Sequence, residues 1–206
     1  MLLVIGNRNY SSWSLRPWLA MKAHGIAFDE KRIHLYAAGS KDEILRYSSA
    51  GKVPVLQDGA TTVWESLAIL EYLAERYPRL WPRDAAERAT ARSLAAEMHA
   101  GFAELRQHMS MNVRKRYPGK GRTPEVLADI ARVTAIWAQA KGPFLFGEFG
   151  AVDAMYAPVV LRFRTYGVEG PNRSYMDAML ALPAMREWID AAEREPESIP
   201  SLDMYG

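Results

Sequence analysis

Two short segments of the chain carry groups that could bind an extended peptide. The run Gly51-Lys52-Val53-Pro54-Val55-Leu56 opens an apolar strand with a proline, which has no N–H for a sheet and belongs at a strand entrance. If the Val53–Pro54 bond is cis, the chain reverses, and the Val53 N–H and C=O can pair with a peptide as another strand would. Glu65-Ser66 precedes a helical pattern, and N–H groups with a hydroxyl at a helix start suit a carboxylate. Together the segments predict a peptide site, whereas either one alone fits an ordinary hairpin or capped helix equally well.

The chain has no cysteine among its 206 residues, so it has no thiolate nucleophile, disulfide or cysteine metal ligand of its own. Any thiol chemistry must therefore use the thiol of a bound molecule. His99 and His108 lack the spacing of a helical metal site, so no metal is predicted.

Composition indicates a globular protein, since 49% of the residues are hydrophobic and can fill a core. The formal charge of +2, from 26 basic and 24 acidic residues, predicts neither a nucleic-acid nor a membrane partner. No apolar stretch approaches the roughly 18 residues of a membrane span, and residues 1–5 are too short for a signal-peptide core. We therefore expect a cytoplasmic location.

The elements that must position the two segments follow from hydrophobic periodicity. Through residue 77 the pattern predicts the order β-α-β-α-β-β-α, typical of a small mixed α/β domain. Residues 78–84 carry two prolines without helical period and predict a linker. Beyond them the pattern is helical, with segments at 85 to about 112, 123 to about 141, from 150, and 183–195, so the second domain should be all-α.

These features coincide over nearly the full length with those of a known family: the chain resembles a cytosolic glutathione S-transferase. The matching motifs are Ser11-Ser12-Trp13-Ser14-Leu15-Arg16, Lys52-Val53-Pro54-Val55-Leu56, Glu65-Ser66-Leu67-Ala68-Ile69 and residues 147–153. The first motif is similar to the serine-rich loop of the zeta class, with Trp13 in the place of a cysteine. The resemblance therefore implies a bacterial, serine-type glutathione S-transferase, nearest to the zeta class in this motif. The resemblance implies a thioredoxin-like domain over 1–77, the linker 78–84, and a helical-bundle domain over 85–206 that contributes the electrophile pocket.

The resemblance also implies how glutathione, the co-substrate, would bind. Val53, beside Pro54, would hold the cysteinyl part through its backbone, and Glu65 with Ser66 would hold the γ-glutamyl end. Lys52 or Lys41 could meet the glycyl carboxylate, although a solvated lysine is the ordinary alternative for each.

A glutathione thiolate needs a hydrogen-bond donor, and a serine hydroxyl near a helix N-terminus can supply one. Ser11 is the first candidate by its place in the motif, Ser12 the second and Tyr10 the third. For any single serine, capping the helix is the alternative role.

By the same resemblance the acceptor pocket lies between the domains. Its candidate residues are Tyr10, Trp13, Met109, Met111, Asn112, Arg116 and Arg164. Helix packing is the alternative for the methionines and aromatics. An arginine facing the cleft would favour an acidic electrophile, as the zeta class binds with maleylacetoacetate, so a maleylacetoacetate-type isomerase is one form of the expected activity.

The family's usual serine or threonine before the buried helix is replaced by Gly150, three residues before Asp153, and we expect this pair to be structural. The resemblance further implies a homodimer and a detoxification role. The principal alternative is a glutathione-binding relative with little transferase activity, acting as a carrier or in interactions. A glutathione-dependent thiol reductase is disfavoured, because its relatives use a cysteine.

Overall fold

The computed structural model describes residues 1–170 and 173–205. Four strands and three helices make up the N-terminal part, in the predicted order: β1 Leu2–Ile5, α1 Ser12–Ala23, β2 Asp29–Arg32, α2 Ser40–Leu45, β3 Val55–Asp58, β4 Thr61–Trp64 and α3 Ser66–Ala74. The sheet order is β2-β1-β3-β4, with β1 and β2 parallel and the other pairs antiparallel. This is a thioredoxin-like arrangement, as expected.

The C-terminal part is helical. After a 3-10 turn at Pro78–Leu80 come α4 Ala85–Ala100, α5 Ala103–His108, α6 Pro124–Trp137, α7 Ala151–Tyr166, α8 Arg173–Ala181 and α9 Pro183–Arg194. Helix α7 is buried on nearly every side and packs against α1 of the first domain. An all-round buried helix is the centre of a large core, so α7 joins the two domains through one hydrophobic cluster.

Local capping chemistry explains several helix starts. Thr123 accepts the Val126 N–H, with Pro124 in the first turn of α6. Asp153, fully buried, accepts the N–H groups of Gly150 and Leu145 and the hydroxyl of Tyr175, each at 3.0 Å. The carboxylate thus stabilises the start of α7 and ties it to α8.

One sequence prediction about the helices was wrong, and one helix was not predicted. The long helix expected from 85 to about 112 ends at Ala100 and a separate α5 follows, because the chain turns at Gly101 and Phe102. A Cβ on Gly101 would lie 2.8 Å from the Glu97 carbonyl oxygen, and Phe102 has a left-handed backbone with φ 59°. Helix α8 was not anticipated. Among the described residues no helix is long and apolar enough to cross a bilayer.

Candidate functional site

A cavity of about 680 Å³ lies between the two domains. We define the serine loop as residues 6–12, which connect β1 to the first turn of α1. The N-terminal part lines the cavity with the end of this loop, with residues 35–37, with helix α2 and with residues 51–53. The helical part supplies Arg106, Ser110, Met111, Arg162 and Leu202. The cavity therefore brings residues from distant parts of the sequence to one place.

The Val53–Pro54 bond is cis, and Val53 lines the cavity. Lys41 and Lys52 line it as well, and Lys41 Nζ donates to the Gly51 carbonyl at 2.9 Å. Two ammonium groups thus lie beside an extended segment whose backbone can pair with a peptide. This wall of the cavity suits a peptide with a carboxylate at one end.

The two candidate serines have different surroundings. Ser11 is the N-cap of α1: its hydroxyl donates to Ser14 Oγ at 2.7 Å, and its oxygen accepts the Ser14 N–H at 3.4 Å. Ser12 Oγ instead accepts a hydrogen bond from Arg162 Nη2 at 3.3 Å. In residues 1–170 and 173–205, no acceptor takes the Ser12 hydroxyl proton. The Ser12 hydroxyl therefore has a proton to donate to a ligand, whereas the Ser11 hydroxyl already donates its proton to Ser14 Oγ.

Tyr10 lines the cavity, but its hydroxyl is engaged elsewhere. It donates to Asp203 Oδ1 at 3.0 Å and accepts from Arg114 Nη2 and the Ile199 N–H, both at 3.2 Å. With its single proton used, the Tyr10 hydroxyl has none for a thiolate.

Glu65 and Ser66 do not line this cavity; they lie at the start of α3 and are linked to it through Trp13 and Arg16. Arg16 Nη1 donates to Ser66 Oγ at 3.3 Å, and its guanidinium lies 4.2 Å from the centre of the Trp13 ring, which faces the cavity. Ser66 is fully buried, whereas the Glu65 side chain is half exposed. Glu65 has a backbone φ of 68°, a strained conformation for a non-glycine residue that costs about 1–3 kcal/mol and is concentrated at ligand sites.

Four predicted members of the acceptor pocket lie elsewhere. Met109 is fully buried in the core, and Asn112 is buried and donates to Asp203 at 2.6 Å. Arg116 donates to the carbonyls of Val113 and Lys115. Arg164 lies 3.9 Å from the Glu193 carboxylate and lines a different pocket from the one that Arg162 lines. Of the predicted set, Tyr10, Trp13 and Met111 line the cavity.

Two arginines that the sequence reasoning missed line the cavity in their place. Arg162 is only 6% exposed and donates to the Met109 carbonyl besides Ser12. Arg106 donates to the Met98 carbonyl and lies 4.8 Å from the Trp13 ring centre, on which Arg16 also packs. A charged residue inside the apolar run Val159-Val160-Leu161-Arg162-Phe163 was the available signal, because arginine is rarely buried without a role.

These arginines give the site a positive potential. Burial and the neighbouring Arg106 lower the pKa of Arg162 to about 10, and burial lowers the pKa of Arg106. Burial, Arg106 and Arg162 hold the pKa of Arg16 well below its usual value. Arginine side chains do not deprotonate in proteins, and within residues 1–170 and 173–205 none of these three forms an ion pair with a carboxylate. The site is therefore prepared for an anion.

Comparison with known proteins agrees with this architecture. The family models for the N-terminal and C-terminal domains of glutathione S-transferase match residues 10–76 and 83–191. Maleylacetoacetate isomerase of Rattus norvegicus is 28% identical over 93% of this chain and 92% of that protein. Probable maleylacetoacetate isomerase of Caenorhabditis elegans is 33% identical over 48% of this chain and 46% of that protein.

Solved structures share the fold over almost the whole chain. The holo structure of maleyl pyruvate isomerase, a bacterial zeta-class glutathione S-transferase, has a TM-score of 0.73 at 24% identity, covering 97% of this chain and 100% of that one. A glutathione transferase homolog from Burkholderia gl BGR1 with bound glutathione has a TM-score of 0.72 at 22% identity, covering 94% and 98%. The two family models match the chain with the N-terminal domain before the C-terminal one, and the Val53–Pro54 bond beside the interdomain cavity is cis. The chain therefore belongs to the glutathione S-transferase family.

Proposed function

We propose that the Ser12 hydroxyl donates to the sulfur of glutathione bound in the interdomain cavity and holds it as a thiolate for attack on an electrophile. As a member of the glutathione S-transferase family, the protein is a glutathione-dependent transferase or isomerase. The observation that carries the assignment to Ser12 is the hydrogen bond from Arg162 to its oxygen, which leaves the hydroxyl proton free. A donor that is itself hydrogen-bonded to a cation is polarised and donates more strongly.

The residues present fit glutathione. The peptide carries two carboxylates and one ammonium, so its site needs cations near one end and a carboxylate near the other. Lys41 and Lys52, which line the cavity beside Val53, supply the first. The half-exposed Glu65, at the start of α3 and outside the cavity lining, supplies the second. When bound, glutathione provides the reactive thiol, which this cysteine-free chain lacks. The protein's residues orient the peptide and lower the thiol pKa.

Calorimetric titration with glutathione and S-hexylglutathione, followed by turnover of a chlorodinitrobenzene-type electrophile, tests the proposal. We expect both ligands to bind and the electrophile to be conjugated. Binding of both ligands without turnover of any electrophile would favour the alternative, a glutathione-binding carrier or interaction protein. Absence of binding by either ligand would refute both functions.

We further propose that the natural acceptor is acidic and that the reaction includes a maleylacetoacetate-type isomerisation. Arg106 and Arg162 support this, because both line the cavity and neither pairs with a carboxylate within residues 1–170 and 173–205. The relatives named maleylacetoacetate isomerase agree with such a substrate. An acceptor carboxylate there would complete a charge-assisted hydrogen bond with a guanidinium.

The acidic acceptor is tested by the variant Arg106→Met, with Arg116→Met as a control outside the cavity. We expect Arg106→Met to raise KM for an acidic acceptor by about tenfold or more, since a hydrogen bond to a charged group is worth about 1.5–3 kcal/mol. KM for a neutral electrophile should change little. Equal effects on both acceptors, or an equal effect of Arg116→Met, would contradict the proposal.

A homodimer is also proposed, on the family resemblance alone. Light scattering coupled to size-exclusion chromatography measures it directly, and a mass near that of one chain would refute it.

A further inference from the structure

Trp13 occupies the position at which the serine-rich motif departs from that of the zeta class, and basic residues from three helices surround its ring. The guanidinium carbon of Arg16, in α1, lies over the ring at 4.2 Å from its centre, and that of Arg106, in α5, lies over it at 4.8 Å. The ring of His99, in α4, meets the indole edge-on, with the two centres 5.3 Å apart. Trp13 and Arg106 both line the interdomain cavity. The indole therefore connects this cavity to charged groups of both domains.

The two guanidinium groups on the ring lack a carboxylate partner. Within residues 1–170 and 173–205 neither Arg16 nor Arg106 forms an ion pair, and the Nε of each is buried without a hydrogen-bond partner. Arg16 is only 2% exposed, and burial together with the charge of Arg106 lowers its pKa. Burying a cation without an opposite charge is costly, and among aromatic side chains an indole face attracts a cation most strongly. The Trp13 ring thus supplies part of the attraction that a carboxylate would otherwise give.

The two side chains differ in how firmly the backbone holds them. Trp13 belongs to the first turn of α1, which packs against the buried helix α7. Arg106 extends from the six-residue helix α5 and donates to the carbonyl oxygens of Met98 and His99 in the last turn of α4. A cation at a helix C-terminus is favourable, so capping α4 is the structural alternative for this arginine. A long arginine side chain has many rotamers, and a rigid ring beside it reduces their number.

We propose that Trp13 is a positioning residue whose indole face holds the Arg106 guanidinium at the cavity, oriented toward the carboxylate of an acidic acceptor. This inference rests on the proposed function, because it requires an acidic acceptor bound by Arg106. The cation then keeps the ring on one side and forms a charge-assisted hydrogen bond with the acceptor on the other. A cysteine in the place of Trp13 would offer the guanidinium no aromatic face. The effect of Trp13 on an acidic acceptor should therefore depend on the presence of the Arg106 guanidinium.

A double-mutant cycle of Trp13→Leu and Arg106→Met measures this dependence. The readout is the ratio of KM for maleylacetoacetate to KM for chlorodinitrobenzene, with glutathione saturating. We expect Trp13→Leu alone to raise the ratio by about tenfold, and to change it by less than about twofold when Arg106→Met is already present. Arg116→Met gives the matched control cycle, because Arg116 bonds to the Val113 and Lys115 carbonyls and does not line the cavity. In that background Trp13→Leu should keep its full effect.

Trp13→Phe keeps a smaller aromatic face and should raise the ratio by about threefold or less. If thermal unfolding shows that Trp13→Leu does not fold, the same cycle is measured with Trp13→Phe.

The possible results separate this inference from the function on which it rests. An equal effect of the Trp13 change with and without the Arg106 guanidinium would show that Trp13 is only a wall of the cavity, and would overturn the inference. An unaltered ratio in Trp13→Leu, with a raised ratio in Arg106→Met, would overturn it while leaving the acidic acceptor in place. An unaltered ratio in Arg106→Met would overturn the acidic acceptor and this inference together.

Discussion

Ser12→Ala is the change that most directly tests the assignment of the thiol donor. A hydrogen bond to a charged group is worth about 1.5–3 kcal/mol, and one pKa unit corresponds to about 1.36 kcal/mol. Loss of the Ser12 donor should therefore raise the thiol pKa of bound glutathione by about 1–2 units. Ser11→Ala, by contrast, removes the cap of α1, costs about 1 kcal/mol of stability and leaves that pKa near its original value.

The sign of the pH dependence follows from the thiolate. Below the thiol pKa, kcat/KM is proportional to the thiolate fraction, so Ser12→Ala should lower it by about 10–100-fold at slightly acid pH. The deficit should shrink as the pH rises past the raised thiol pKa of the variant, because the thiol then ionises without the donor. Ser12→Thr retains a hydroxyl and should recover most of the activity.

Ultraviolet absorbance of the bound thiolate, titrated with pH, gives the pKa directly, and the pH profile of kcat/KM gives it independently. Thermal unfolding distinguishes the two roles, because loss of the α1 cap in Ser11→Ala should lower the melting temperature, whereas loss of the thiol donor in Ser12→Ala should raise the thiol pKa. A raised thiol pKa in Ser11→Ala together with an unchanged one in Ser12→Ala would refute the reasoning from the Arg162 hydrogen bond.

Three further predictions concern the fold and the peptide site. Asp153→Ala leaves the Leu145 and Gly150 N–H groups and the Tyr175 hydroxyl unpaired, so denaturant titration at pH 4 should show a loss of about 3 kcal/mol or more; an unchanged midpoint would contradict this role. Burial raises the Asp153 pKa from 3.8 to about 6, so the folded state holds this proton more tightly and its stabilising contribution is lost as pH rises. The gap in the free energy of unfolding between wild type and Asp153→Ala should accordingly narrow by up to about 3 kcal/mol between about pH 4 and 6, and a gap that widens would show the sign to be wrong. Glu65→Gln should weaken glutathione binding by about tenfold or more in calorimetry, because the γ-glutamyl ammonium loses its carboxylate, whereas Glu71→Gln, on the exposed pair with Arg92, should not. Lys41→Met and Lys52→Met each test the glycyl carboxylate: the double variant should bind glutathione more weakly than either single one, and unaltered affinity in all three would remove the lysines from the site.

Local patterns in the sequence predicted much of this protein. The order of strands and helices in the first domain follows from hydrophobic periodicity, and Thr123-Pro124 marks the start of α6 because capping involves residues within one turn. The Val53–Pro54 turn and the Glu65–Ser66 pair were recognisable from the sequence because each is a contiguous motif. Because the chain has no cysteine, any thiol chemistry requires the thiol of a bound molecule.

What needed the tertiary structure depends on residues far apart in the chain. Arg162 reaches Ser12 across 150 positions, and Tyr10 meets Asp203 across 193, so no local pattern could distinguish Ser12 from Ser11 or show that Asp203 takes the Tyr10 proton. The helical segment is also interrupted between α4 and α5, where the Glu97 carbonyl oxygen lies close to Gly101 and Phe102 has a positive φ. The hydrophobic pattern there is otherwise helical, so the sequence did not show this interruption. The sequence by itself determined the order of the elements, through periodicity, and its short motifs carry the resemblance that implies the family's fold and its co-substrate. Only the tertiary structure decided which hydroxyl has a proton to give and which side chains line the cavity, because a hydrogen bond or a cavity wall is set by the residues that folding brings within about 3 Å of each other.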